Sequence, residues 1–297
     1  ANGAAACDRL PARETGLCRI ADNEIRACGR VFHSAVGVLS MHAFGMAICH
    51  NHIHDLFYTG ISCGWEWGYH ESASRDNLIE KNHIHDIGQG LLSDMGGIYT
   101  LGVQPGTVVR GNLIHGVRSA HYGGWCIYPD EGSSHLVIED NVCYDADRHA
   151  FHQHYGRENT VRNNVFAFGG EAVISYSRTD GHCGITFAQN LLITDGKPVH
   201  GTGYSHKYAD RRFRSDLNLL FDVAGKPRVF QEGKKRIGLA AWRLLGFDPH
   251  SLVADPRCRN LKRRDFRLKP GSPALKLGFR PIDLSDVGVR AMGKREI

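Results

Sequence analysis

From Cys18 to Leu220 the chain sets out short runs of alternating apolar and polar residues that restart at an asparagine. The runs CRIADNEI, MAICHNHIHD, NLIEKNHIHD, VVRGNLIHG, VIEDNVCYD, TVRNNVFAF, ITFAQNLLIT and RSDLNLLFD put it at Asn23, Asn51, Asn82, Asn112, Asn141, Asn164, Asn190 and Asn218. Three positions earlier stand Ile20, Ile48, Ile79, Val109, Ile138, Val161, Phe187 and Ser215. Two positions later stand Ile25, Ile53, Ile84, Ile114, Cys143, Phe166, Leu192 and Leu220. Two apolar columns around an asparagine column, at a period of 23 to 31 residues, predict an all-β solenoid of about eight stacked coils of parallel strands. Asparagine tolerates the bend backbone, and its amide can bond to the asparagine of the next coil to form a ladder.

A second strand follows each bend. Its inward column reads Val38, Ile61, Ile98, Ile127, Phe151 and Val173, and its next inward column Ser40, Cys63, Thr100, Pro129, Gln153 and Ser175. Facing out between them are Leu39, Ser62, Tyr99, Tyr128, His152 and Ile174, then Met41, Gly64, Leu101, Asp130, His154 and Tyr176. One outer face therefore presents Tyr, Asp and His on adjacent coils. After the last repeat, GLAAWRLLGFDPHSLVADP has helical spacing around Trp242 and predicts a short helix over the open end. DFRLKPGSPALKLGF reads as a strand, a turn and an amphipathic segment. No linker interrupts the pattern, so residues 1–297 form one domain: a lead-in over 1–17, coils over 18–222 and a cap and tail over 223–297.

Composition narrows the function classes. With 42% apolar and 23% charged residues the chain is neither disordered nor fibrous, and no run reaches the ~18 apolar residues of a membrane span. Ala1–Ala6 lacks the charged and apolar regions of a signal peptide, which leaves either no export signal or one already removed. The net charge of +5 gathers in late basic runs, Arg211–Arg214, Lys234–Arg236 and Lys262–Arg264, with no recognisable nucleic-acid module; these read as a solvated basic end and not as a nucleic-acid site. Nine cysteines show neither CxxC nor zinc spacing and read mostly as buried thiols.

The candidate chemistry lies in SDMGGIYTLG and GGWCIYPDEGSS, where Asp94 and Asp130 fall on neighbouring coils among glycines and aromatics. Hydrolysis of a glycosidic bond needs two carboxyl groups, one to protonate the leaving oxygen and one to act as nucleophile or to activate water. The alternative is that both aspartates cap turns. Trp65, Trp67, Tyr99, Trp125, Tyr128 and Tyr155 offer rings for sugar faces, with Glu66 as a third acid and Glu131 beside the pair. His152 and His154 share the outer face. His54, His85 and His115, with His52 and His83 nearby, recur at the repeat period on another wall and read as stacked imidazoles; no metal ligand set and no cofactor are assigned.

These motifs, with RVFHSAVGV, NHIHDLFYTGISCGWEWGY, FHQHYGRENTVRNNVFAFG and the tail, resemble the right-handed parallel β-helix carbohydrate-active enzymes, most closely glycoside hydrolase family 141. Known members are α-L-fucosidases of pectin side chains and xylanases. The resemblance implies hydrolysis of a plant-type polysaccharide, with the family's paired catalytic aspartates corresponding to Asp94 and Asp130. It also implies an extracellular or periplasmic setting. Family members usually carry more coils than this chain. A β-helix lyase or epimerase, with His152, His154 or Tyr128 as base, and a non-catalytic glycan-binding β-helix are the competing readings.

Overall fold

The structure, a computed structural model, describes residues 15–178, 180–201, 212–232 and 235–295. Most of the lead-in, Arg211 and Lys234 lie outside the described residues. The chain winds as an all-β right-handed parallel solenoid of about seven turns, with three sheets of eight, nine and six strands. The first sheet runs from Arg19–Ala21 to Phe213–Asp216. The second starts at Glu24–Arg26 and includes His52–Leu56, His83–Ile87, Leu113–Val117 and Val142–Ala146. The third consists of Val38–Ser40, Ile61–Cys63, Met95–Thr100, Gly124–Pro129, His149–Gln153 and Ile174–Tyr176.

The asparagine ladder runs along the corner between the first two sheets. Each Nδ2 donates to the Oδ1 of the next asparagine at 2.9–3.2 Å, from Asn23 through Asn218. The same Oδ1 atoms accept from the preceding asparagine's backbone N–H, so each amide satisfies polar groups that are buried between stacked coils. The ladder stops where Asn218 donates to Ser251 Oγ (2.8 Å) and Asp248 Oδ1 (3.0 Å). The predicted helix forms at Leu239–Leu244, and its Trp242 stacks on Phe247 to close the core at that end.

The tail follows the expected strand, turn and amphipathic segment. Asp265–Leu268 pairs antiparallel with Cys258–Asn260, and Pro273–Leu277 is a 3₁₀ helix that Gly278, at φ 84°, ends after one and a half turns. Phe266, Ala274, Leu277 and Phe279 cover the outward Val142, Val165, Leu191 and Leu219 of the second sheet. The chain then runs back along the ladder corner: Arg280 bonds Asn163, Lys81 pairs with Asp286, and Arg290 forks onto Asp22. Part of the basic end is thus structural, with Arg264 bound bidentate to Asp145 and lying over Phe168. All eight cysteines among the described residues are free, and Cys49, Cys63, Cys126, Cys143 and Cys258 are buried.

Register in the third sheet corrects one column. Ile174, not Val173, pairs with Phe151, so Ser175 falls opposite His152 and Tyr176 opposite Gln153. Val173 and Ile174 are both buried, and two adjacent apolar residues leave the register open to sequence reasoning. Leu101, expected to face out, is fully buried. Alternation also breaks within the strand Gly124–Pro129, where Cys126 and Ile127 both enter the core and leave Trp125 and Tyr128 on the same outer side.

Candidate active site

The outer face of the third sheet holds an open cleft of about 470 Å³. Asp94, Trp125, Tyr128, Asp130, Glu131, His152 and His154 line it, together with Tyr122, Gly123, Arg148, His149, Glu171, Ser175 and Ser177.

Asp94 precedes its strand with a left-handed backbone, φ 63°, a conformation that aspartate tolerates better than most residues. Its carbonyl accepts from the Tyr58 hydroxyl at 2.9 Å, and its Oδ1 accepts from the Tyr128 hydroxyl at 3.2 Å. Gly123, at φ 66°, passes so close that a Cβ there would sit 2.9 Å from the Asp94 nitrogen. Only glycine meets both demands. Asp130 follows the strand of the next coil and is buried; its Oδ2 accepts from Tyr99 at 2.6 Å and its Oδ1 lies 2.9 Å from His154 Nδ1. Tyr128 also stands near enough to Asp130 to lower that carboxyl, so one phenol lies between the two acids.

The two aspartates are pushed in opposite directions. Burial, and then the charge of Asp130, raise Asp94 above the ordinary carboxyl value of 3.8. Burial pushes Asp130 up as well, but hydrogen bonds from His154, Tyr99 and Tyr128 together outweigh it and leave Asp130 below 3.8. Asp94 thus keeps its proton to higher pH while Asp130 is anionic. Tyr99 and Tyr128 are themselves raised, by burial first and then by the nearby carboxylates, so both are neutral donors.

The cleft wall is rigid and aromatic. Trp125 stacks on His152 with ring centroids 4.2 Å apart and donates its indole N–H to His149 Nδ1 at 3.0 Å. That bond fixes His149 as the tautomer protonated at Nε2, and burial holds its pKa down to about 3. His152 Nδ1 lies 2.6 Å from Ser175 Oγ and its Nε2 3.1 Å from Ser177 Oγ. Glu131 Oε2 accepts from Tyr155 at 3.0 Å. Arg148 pairs with Glu171 at the other end, and Tyr122, 59% exposed, stands at the rim hydrogen-bonded to Asp94.

Seven of the sequence candidates meet here; five stand elsewhere. Tyr99 lies behind Asp130 and orients it, and Tyr155, buried beneath Arg178, orients Glu131. Trp65 and Trp67 are exposed and meet edge to face, 5.2 Å apart, on a loop outside the cleft lining. Glu66, between them, faces His70 at 3.2 Å and not the aspartates. The far end of that loop packs behind the cleft, where Gly68 abuts Gly132 and Tyr69 packs on Tyr155. Tyr122, Arg148, His149, Glu171, Ser175 and Ser177 were not anticipated. Ser175 needed the corrected register, and the others depend on how loops return to the sheet.

On the second sheet His54, His85 and His115 stack with nearly parallel rings 5.0–5.1 Å apart, as the repeat predicts, and Tyr144 continues the stack. Burial and neighbouring imidazoles hold His83 down to about 3.

The family model for a right handed beta helix region matches residues 68–192. No curated protein matches the chain. A solved structure titled "Glycoside hydrolase" is similar to it at 24% identity and a TM-score of 0.41, over 57% of this chain and 26% of that one. The chain spans about a quarter of the length of that structure, and the right-handed β-helix rests on the family model.

Proposed function

We propose that the protein is a glycoside hydrolase in which Asp94 is the general acid and Asp130 the nucleophile or base. The observation that carries this reading is the split pair: two carboxyl groups on adjacent coils, with Tyr128 between them, one raised and one lowered, on the wall of one cleft. Two titratable groups whose surroundings drive them apart divide acid from base. In the reaction Asp94 protonates the departing glycosidic oxygen as the bond to the anomeric carbon breaks. Asp130 either attacks that carbon or deprotonates the water that does. His154 and Tyr99 hold the Asp130 charge in place. Trp125, Tyr122 and Glu131 bind the sugar beside the pair, and the exposed Trp65 and Trp67 form a platform for more distant units of a chain.

The substrate we propose is a plant-type polysaccharide or oligosaccharide, a fucosylated pectin side chain or a xylan, met in an extracellular or periplasmic setting. The test is sugar release from a panel of xylans, pectin fragments and α-L-fucosides by wild type, Asp94→Asn and Asp130→Asn. Each variant should lose ~10²–10⁴-fold in kcat while its circular dichroism spectrum is unchanged. Asp94→Asn should lose least on aryl glycosides whose leaving group needs no proton. Full release by either folded variant would refute the pair.

A further inference from the structure

The imidazole stack accounts for His54, His85 and His115, but not for the contacts that cross between columns, His52 with His85 and, one coil on, His83 with His115 at 3.1 Å. The register sets His83 opposite His52 and His85 opposite His54. His85 is therefore diagonal to His52, yet their Nε2 atoms approach to 2.8 Å. The other ring nitrogen of His85 lies 2.9 Å from Asp86 Oδ2. A carboxylate at Nδ1 takes the N–H there and leaves the Nε2 lone pair aimed at His52, which is the arrangement that orients metal-binding histidines. His83 stands against both rings, and ligand atoms of His52, His83 and His85 all fall within 4.8 Å of one another.

We infer that His52, His83 and His85 form a binding site for one divalent transition-metal ion of the zinc class, with Asp86 orienting His85. An ion about 2.0–2.1 Å from each nitrogen needs neighbouring nitrogens about 3.3 Å apart. The His52–His85 pair at 2.8 Å must open by about 0.5 Å to admit it, and all three ligand atoms already lie within 4.8 Å of one another. Three imidazoles select zinc, nickel or copper over calcium and magnesium, which prefer oxygen. Glu24 and His54 form a second group that also uses His52, so one ion per chain is expected.

The place in the fold gives the ion a role. Strands His52–Leu56 and His83–Ile87 are near the first coil, on the outer face of the second sheet, and the apolar cover from the tail lies farther along that face, over Val142, Val165, Leu191 and Leu219. An ion shared by these strands braces two coils that the apolar cover does not reach. The site is independent of the hydrolase reading, because it lies on a different sheet from Asp94 and Asp130.

The experiment is a titration of the untagged full chain with Co²⁺, followed by displacement with Zn²⁺. Visible ligand-field bands report the coordination, and a melting curve reports stability. Wild type should bind one equivalent with nitrogen-type bands, show no thiolate charge-transfer band, and melt at a higher temperature with the ion. His52→Ala and His85→Ala should weaken binding at least ~100-fold, Asp86→Asn, an exposed and conservative change, ~10-fold, and His70→Ala not at all. If either alanine variant does not fold, Asp86→Asn decides. Absence of ligand-field bands, a thiolate band, or affinity unchanged in Asp86→Asn and the folded histidine variants would overturn the site.

Discussion

The second and third sheets are made by the same repeat, with the same inward apolar columns, yet their outer faces have opposite fates. On the second sheet the outward residues stack on one another or disappear beneath the tail: His54, His85 and His115 ring on ring, and Val142 to Leu219 under Phe266 and Leu277. On the third sheet no tail arrives, and the outward positions turn toward a cleft with two carboxyl groups in unlike surroundings. Inward columns and the asparagine ladder fix the backbone of both. What differs is whether the outward side chains find partners that complete them, and the third-sheet face leaves Asp94, Tyr122 and His154 reachable from solvent.

Four perturbations probe that contrast, in falling order of effect. Asn112→Ala attacks what the faces share. It leaves the Asn82 N–H and the Ile79 carbonyl, buried partners of its side chain, without their bonds. At ~1–3 kcal/mol for each orphaned group, chemical denaturation should show a loss of about 4 kcal/mol. Asn23→Ala, at the exposed end of the ladder, should cost far less. Phe266→Ala attacks only the covered face. Removing this buried ring should cost about 3 kcal/mol and leave kcat on any hydrolysed sugar unchanged. A loss of turnover at full folding would show that the two faces are coupled.

Tyr99→Phe acts on the open face alone. It removes a hydrogen bond that keeps Asp130 low, so the Asp130 pKa rises. In the proposed mechanism Asp130 acts as the anion and Asp94 as the acid, so the acid limb of the kcat/KM profile should move to higher pH while the alkaline limb, set by Asp94, stays in place. The smallest effect belongs to Arg290→Ala. Its bond to Asp22 holds that carboxyl at about 2 against an ordinary 3.8. The pair therefore contributes stability above pH 3.8, which is lost as pH falls toward 2, and wild-type and variant melting curves should converge over that window. Above it the gap should be about 1 kcal/mol.

The fold was legible because each coil repeats the same two physical demands, an apolar residue facing in and an amide at the bend. Register failed only where Val173 and Ile174 met both demands equally well, and that single slip hid Ser175 from the His152 column. The placement of Asp94 and Asp130 on adjacent coils was legible from the repeat. Their unlike surroundings were not, since these rest on Tyr99, Tyr128 and His154 converging on Asp130 while Asp94 receives fewer donors. Arg148, Glu171 and Tyr122 reach the cleft through loop paths that no periodicity describes. The tail's return to Asp22 likewise carries no signal at the level of sequence, because it pairs residues from opposite ends of the chain.

The most direct measurement is a carbon-13 NMR titration of the aspartate side-chain carboxyls, assigned through Asp94→Asn and Asp130→Asn. Asp94 should titrate above 3.8 and Asp130 below it, and Asp94 should fall back toward 3.8 once Asp130→Asn removes the neighbouring charge. Two midpoints together near 3.8, or the reverse order, would contradict the division into acid and base on which the account rests.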